Sequence, residues 1–273
     1  MRAAVEDDLG HPGPLAREYA TQKGQRFLGD IGAWAAKPGL RRYVETSPAA
    51  EIAARMLKSQ KANFLYDQLF VKEPGTAART PWHQDGPYWP VQGQQILSIW
   101  LALDDVTVES SGVEYLKGSH RWGKEYRPIH FGGDTKAYKM LPGETLPDID
   151  ALRKEPGNML DVVNWDVKVG DCLLHHSMTV HGAPGNASST QLHPAPPRPR
   201  DALDRRRCGV RTARRAGTHH DQRADLPRRR ADRMRGVSPL VAEVTRPFNG
   251  ACRGDPTFQR DPIPSLETFR CRV

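Results

Sequence analysis

The chain has 273 residues, enough for one large β domain or two small ones, and at 38% hydrophobic and 7% aromatic residues its core is expected to be lean. No run of 18 apolar residues occurs, which excludes a transmembrane helix, and the start of the chain carries Glu6, Asp7 and Asp8 with no apolar stretch, so no secretory leader is expected. The net charge of +8 is split: residues 191–273 hold 19 Arg, no Lys and nine acidic side chains, a net of +10, whereas residues 1–190 sum to −2.

Residues 14–60 read as helical, since Leu15, Tyr19, Phe27, Ile31 and Trp34 can share one face. Within them, residues 49–61 form an amphipathic helix opened by Ser47 and Pro48, with Ile52, Ala53, Met56 and Leu57 on its apolar side. From Asn63 the texture changes to short apolar runs between turns. Residues 63–71 (NFLYDQLFV), 95–103 (QILSIWLAL), 112–116, 166–169 and 171–175 are strand candidates, with turns at 72–75, 85–87 and 117–118. Several strands without long helices between them favour a sandwich or barrel over a doubly wound sheet. The polar, Pro- and Gly-bearing stretch 132–158 reads as an insertion or lid over one mouth. Residues 191–273 show no sustained period, hold ten of the 23 prolines, and are expected to be disordered. Three units follow: an N-terminal helical region, 1–62; a β core, 63–190; and an Arg/Pro-rich tail, 191–273. The four cysteines, Cys172, Cys208, Cys252 and Cys271, suggest neither a disulfide framework nor a metal motif, and a cytoplasmic chain without membrane partners is the expectation.

His83-Gln84-Asp85 is the sharpest chemical motif. On a strand, residues i and i+2 share a face, so imidazole and carboxylate stand side by side and can serve one divalent ion. Two histidines and a carboxylate leave open coordination positions, the arrangement of non-haem Fe(II) oxygenases. The third ligand must return from downstream, where His175, His176 and His181 are the candidates; His181 stands out because Gly182 and Pro184 follow it as a tight turn.

The sequence around these residues resembles the phytanoyl-CoA dioxygenase family. The resemblance runs through Leu69-Phe-Val-Lys-Glu-Pro-Gly75, Thr80-Pro-Trp-His-Gln-Asp-Gly-Pro-Tyr-Trp-Pro90, Leu97-Ser-Ile-Trp-Leu-Ala-Leu-Asp-Asp105, Gly112-Val-Glu-Tyr-Leu-Lys-Gly-Ser-His120, Gly170-Asp-Cys172 and Val180-His-Gly182. It implies a mainly β chain built on a double-stranded β-helix (a cupin-like jelly roll), with N-terminal helices, and it implies Fe(II), 2-oxoglutarate and O2. It implies His83, Asp85 and His181 as iron ligands, and Gln68 and Trp100 as lining of the 2-oxoglutarate pocket. The implied reaction converts 2-oxoglutarate to succinate and CO2 while hydroxylating a C–H bond of a small organic substrate. Related halogenases lack the carboxylate, so Asp85 favours hydroxylation.

The resemblance stops after Thr190. The family pattern expects a basic residue about eleven positions past the distal histidine, to grip the far carboxylate of 2-oxoglutarate, and Leu192 stands there; Arg198 and Arg200 lie in a Pro-rich context ill suited to replace it. GC-rich codons for residues 191–210, read one base later, can spell S-S-T-R-R-R-R-A-L-A-T-R-W-T-G-D-D-A-A-Y, which resembles the missing continuation and repeats Ser188-Ser-Thr190. We therefore read the tail as the product of a shifted frame, and expect the 273-residue chain to be poorly soluble and impaired by loss of the 2-oxoglutarate-anchoring Arg. Sequencing the gene across codons 186 to 196 tests this: without a repeated unit there, the idea fails. Two alternatives come from other classes: a nucleic-acid-binding protein acting through its Arg-rich tail, where Phe248, Phe258 and Phe269 alone could stack on bases, and a non-catalytic jelly-roll binding module. Neither the substrate's identity nor the oligomeric state is legible.

Overall fold

The structure is a computed structural model that describes residues 1–131, 141, 143–188, 207–215 and 269–272, the last two segments through their backbone pairing. Among them two antiparallel sheets face each other. The larger runs, in spatial order, β1 (Arg17–Glu18), β2 (Phe27–Ile31), β3 (Asn63–Lys72), β10 (Arg207–Arg215), β5 (Ile96–Ala102), β8 (Asp171–His176) and β11 (Phe269–Arg272). The smaller runs β4 (Thr80–His83), β9 (His181–Ala183), β6 (Glu114–Leu116) and β7 (Val162–Val163). This is the jelly-roll architecture that the family resemblance implied, and it fits the sandwich or barrel expected from the strand texture.

Side-chain alternation explains how both faces of the large sheet are filled. On β5, Leu97, Ile99 and Leu101 point outward into a core shared with helices α1 (Arg2–Gly10), α2 (Pro38–Thr46) and α3 (Ala49–Met56). Trp100 and Ala102 point inward and meet Tyr115 of β6 and Leu173 of β8 between the sheets. The outward core is dry, with Ile99 and Ala53 at 0% exposure, so Ile99→Ala is expected to cost about 2–5 kcal/mol. A third cluster, Trp82, Leu116, Ile149 and Val180, covers the back of the small sheet with the short helix α4 (Ile149–Leu152).

The structure departs from the sequence reading in several places. The helical face drawn through Tyr19, Phe27 and Ile31 does not form: Phe27–Ile31 is β2 and Arg17–Glu18, just before Tyr19, is β1, and the two extend the large sheet beyond β3. Gly24 and Gly32, both at positive φ, interrupt any helix there, and pairing Phe27–Ile31 with β3 satisfies their backbone groups. The N-terminal region is thus part of the sheet as well as a helical cover. The amphipathic helix ends at Met56, and of residues 166–169 only Val167 pairs, in a bridge to Val106. Of the expected lid, residues 132–140 and 142 lie outside the described residues; its later part contains α4.

Two pieces of the tail are strands, where disorder was expected. β10 slots between β3 and β5 and is paired along both edges, so position 211 lies opposite Gln68 on one side and Trp100 on the other. The pairing rests on backbone hydrogen bonds to two flanking strands and needs no hydrophobic period of its own, which is why the composition hid it. β11 pairs with β8 and sets Cys271 opposite Cys172, and Cys172 is disulfide-bonded, against the expectation drawn from cysteine spacing alone. The remainder of 191–273 lies outside the described residues.

Candidate metal centre

The centre is assembled where β4 meets β9. The register pairs His83 directly with His181, and their rings lie 4.3 Å apart between centroids. β9 approaches β4 this closely because residue 182 is glycine: a Cβ there would meet the Thr80 carbonyl oxygen at 3.0 Å. Gly182 therefore sits inside the strand rather than in the tight turn inferred from the sequence.

Asp85 is not on the strand. β4 ends at His83, and Asp85 caps a 3-10 turn, Gly86–Tyr88, whose Pro87 cannot continue a ladder. The backbone N–H groups of Asp85 and Gly86 both donate to the Ser177 carbonyl, at 3.0 and 2.9 Å. That bifurcated clamp, not strand alternation, turns the carboxylate toward His83.

Hydrogen bonding fixes which atoms face the centre. A carbonyl can only accept, so the 2.7 Å contact between His83 Nδ1 and the Pro81 carbonyl places the ring proton on Nδ1. The Thr179 carbonyl does the same for His181, at 2.9 Å. Both Nε2 lone pairs are thereby presented to Asp85 Oδ1, at 3.4 Å from His83 and 3.6 Å from His181. The other carboxylate oxygen, Oδ2, accepts from Ser98 Oγ at 2.7 Å and from His175 Nε2 at 3.1 Å. Ser98 and His175 are themselves directly opposed in the β5–β8 register.

His83, Asp85 and His181 offer ligand atoms that all lie within 4.8 Å of one another, and all three residues are at most 4% exposed. A carboxylate held this dry is costly unless a cation or donors compensate it, and two neutral imidazole nitrogens beside it suit a borderline divalent ion such as Fe(II). The donor set fits that metal.

The remaining candidates separate cleanly. His176 turns away: its Nε2 donates to the Gln94 carbonyl at 3.0 Å and its Nδ1 accepts from the Met178 N–H, while burial pulls its pKa below the usual histidine value. His175, set aside in the sequence with His176, proves to be a support for Asp85. Ser98 carried no sequence signal beyond being the polar residue in an apolar strand run. Trp100 lies in the core between the sheets, and Gln68, 8% exposed, lies on β3. Both flank position 211 of β10. Among the described residues no helix is long and apolar enough to cross a membrane.

Comparison with known proteins bears on the family and the fold. The sequence model of the family Phytanoyl-CoA dioxygenase (PhyH) matches residues 19–191. The chain is 26% identical over 192 residues to the zebrafish (Danio rerio) phytanoyl-CoA dioxygenase domain-containing protein 1, covering 69% of this chain and 60% of that protein. It is 29% identical over 133 residues to a probable alpha-ketoglutarate-dependent hypophosphite dioxygenase of Stutzerimonas stutzeri, covering 49% of this chain and 41% of that one. The chain thus spans less than two thirds of either relative. Its fold is similar to the non-heme alpha-ketoglutarate-dependent carbocyclase SnoK from nogalamycin biosynthesis, with a TM-score of 0.57 and 25% identity over 78% of this chain and 72% of that one. It is also similar in fold to EvdO2 of Micromonospora carbonacea var. aurantiaca, solved with 2-oxoglutarate, with a TM-score of 0.55 and 24% identity over 84% of each chain.

Proposed function

The chain belongs to the phytanoyl-CoA dioxygenase family, and on that premise we propose that it is an Fe(II)- and 2-oxoglutarate-dependent dioxygenase that hydroxylates a small organic substrate. The observation that carries the proposal is the convergence of His83 Nε2, His181 Nε2 and Asp85 Oδ1 in one buried place. Bound iron and 2-oxoglutarate supply the chemistry, in which O2 converts the co-substrate to succinate and CO2 and a substrate C–H becomes C–OH.

The chain's own residues do the positioning. The Pro81 and Thr179 carbonyls hold both imidazoles in the tautomer that leaves Nε2 for the metal. Ser98 and His175 hold Oδ2, which leaves Oδ1 turned toward His83 and His181, where it would serve as a ligand. The buried surroundings of the three ligands keep bulk water from the reacting atoms. The far carboxylate of 2-oxoglutarate needs a cation, and Leu192 cannot supply one. In place of the shifted-frame reading of the tail, we assign that role to Arg211, because position 211 of β10 lies in register between Gln68 and Trp100, the two residues expected to line the pocket.

The test is succinate formation with excess Fe(II) and 2-oxoglutarate. The wild-type chain is expected to form succinate, and His83→Ala, Asp85→Ala and His181→Ala to form none above background. Equal turnover by the three variants would end the proposal.

A further inference from the structure

Gln84 stands in the chain between two metal ligands and is 2% exposed. A side-chain amide has two donor hydrogens and one acceptor oxygen. Here Nε2 donates to the Lys124 carbonyl at 3.0 Å and to the Met178 carbonyl at 3.1 Å, while Oε1 accepts from the Tyr126 N–H at 2.9 Å. All three partners are backbone groups, and they lie 40, 94 and 42 residues away in the sequence. One buried side chain is thus spent on two separate segments.

Each segment meets the metal centre a second time. In the turn between β8 and β9, three successive carbonyls are engaged: Ser177 holds the Asp85 and Gly86 N–H groups, Met178 holds Gln84, and Thr179 holds the His181 ring. In segment 124–131, the Ile129 carbonyl and N–H both bond the Tyr88 hydroxyl, at 2.7 and 2.8 Å, and the Phe131 ring meets that of His83 at 4.7 Å between centroids. A glutamine that only satisfied a loose turn would serve one of these segments. Gln84 ties both to a residue whose neighbours on either side are His83 and Asp85. A metal ion that fixes those two side chains also restrains the backbone between them, and the amide passes that restraint to Lys124 and Tyr126. The bonds are suited to carry it, because breaking one in a dry site leaves a buried polar group unsatisfied.

We infer that Gln84 is a positioning residue that couples the order of segment 124–131, and of the Phe131 ring it brings to His83, to occupancy of the metal centre. The inference rests on the proposed metal reading. Such coupling is reciprocal, so an ordered segment 124–131 also tightens metal binding.

The test is hydrogen–deuterium exchange of the full 273-residue chain, resolved to single amides, with and without saturating Co(II), together with the Co(II) ligand-field spectrum. In the wild-type chain Co(II) is expected to slow exchange of the Tyr126 and Ile129 amides about tenfold, the scale on which an outer partner of a metal ligand acts. Gln84→Met, similar in length but without the amide, is expected to show rates within twofold of each other with and without Co(II), to bind Co(II) about tenfold more weakly and to shift its bands. Tyr88→Phe leaves Gln84 in place, so it should lose the slowing at Ile129 and keep it at Tyr126. Leu40→Ala, a 2% exposed side chain in the core on the far side of the large sheet, lowers stability alone and should keep both the slowing and the bands of the wild type. Undiminished slowing in Gln84→Met, its loss at Tyr126 in Tyr88→Phe, or a Co(II)-saturated wild type that shows none overturns the coupling while leaving the metal reading intact. A wild-type chain that takes up no Co(II) refutes the metal reading and the coupling with it.

Discussion

Ser98→Ala and His175→Ala test whether the metal centre depends on residues that never touch the metal. Both side chains donate to the same oxygen, Asp85 Oδ2, at 2.7 and 3.1 Å, and both are buried at 0% and 3% exposure. A hydrogen bond to a charged group contributes about 1.5–3 kcal/mol, equivalent to roughly 10- to 150-fold in an equilibrium constant. Two effects compete when a donor is removed. A carboxylate with fewer donors is a stronger ligand for a cation, but it is also free to rotate Oδ1 away from the 3.4–3.6 Å contacts that align it with His83 and His181. Orientation should win, because the oxygen left without its donor is buried and regains partners only by turning. Each single variant is therefore expected to bind Co(II) about 10–100-fold more weakly, the usual cost of losing an outer partner of a ligand. The double variant should fall short of the product, since both donors serve one oxygen. Anaerobic calorimetric titration reads the affinities, and thermal melts confirm folding. His175→Gln, which retains an N–H donor, should recover part of the loss. Affinity within twofold of wild type in both single variants would refute the reasoning.

Other outcomes follow from the same structure. His176→Ala should leave metal affinity unchanged, because its ring is engaged with Gln94 and Met178; a loss comparable to that of His181→Ala would mean the ligand assignment is wrong. Arg211→Leu should weaken 2-oxoglutarate binding by roughly 30- to several-thousand-fold, the scale of about 2–5 kcal/mol for leaving a buried charge without its partner, while sparing Co(II) binding. Leu192→Arg should then change little; a large gain from it would return the anchor to position 192, as the shifted-frame reading requires. Burial pushes Asp67 up to about 7, and burial together with the neighbouring Asp30 pushes Asp8 up to about 6. Both groups hold protons in the folded state that the unfolded chain has released, so stability should fall as pH rises from about 4 to 7 and level off above, at up to about 1.4 kcal/mol per pH unit per group. Asp67→Asn, whose amide oxygen can still accept from the Trp34 N–H, should flatten that slope in urea titrations, and an unchanged slope would remove Asp67 as its source.

What the sequence made legible was set by short-range pattern. The runs at 63–71, 95–103 and 171–175 match β3, β5 and β8 within a residue or so, because a strand covered on both faces writes itself as a continuous apolar stretch. The nearness of His83 and Asp85 was read from strand spacing, although a turn after β4 brings them together, and His181 was singled out by the glycine after it and the resemblance around it. Long-range pairing wrote nothing into the sequence. Ser98 and His175 acquire their role only because β5 and β8 set them opposite each other. β2 was misread because its apolar residues also satisfy a helical wheel, and the competing signal was two glycines at positive φ. β10 was missed because its place depends on a slot between β3 and β5 rather than on its own residues.

The central claim is that His83, Asp85 and His181 hold iron with a face open to 2-oxoglutarate. The most direct test is anaerobic addition of 2-oxoglutarate to the Fe(II)-loaded chain, following the weak visible charge-transfer band of the chelate. The band should rise to saturation with 2-oxoglutarate, fail in Asp85→Ala, and survive in His176→Ala. A wild-type chain that binds Fe(II) at these residues yet develops no band at saturating 2-oxoglutarate would contradict the account.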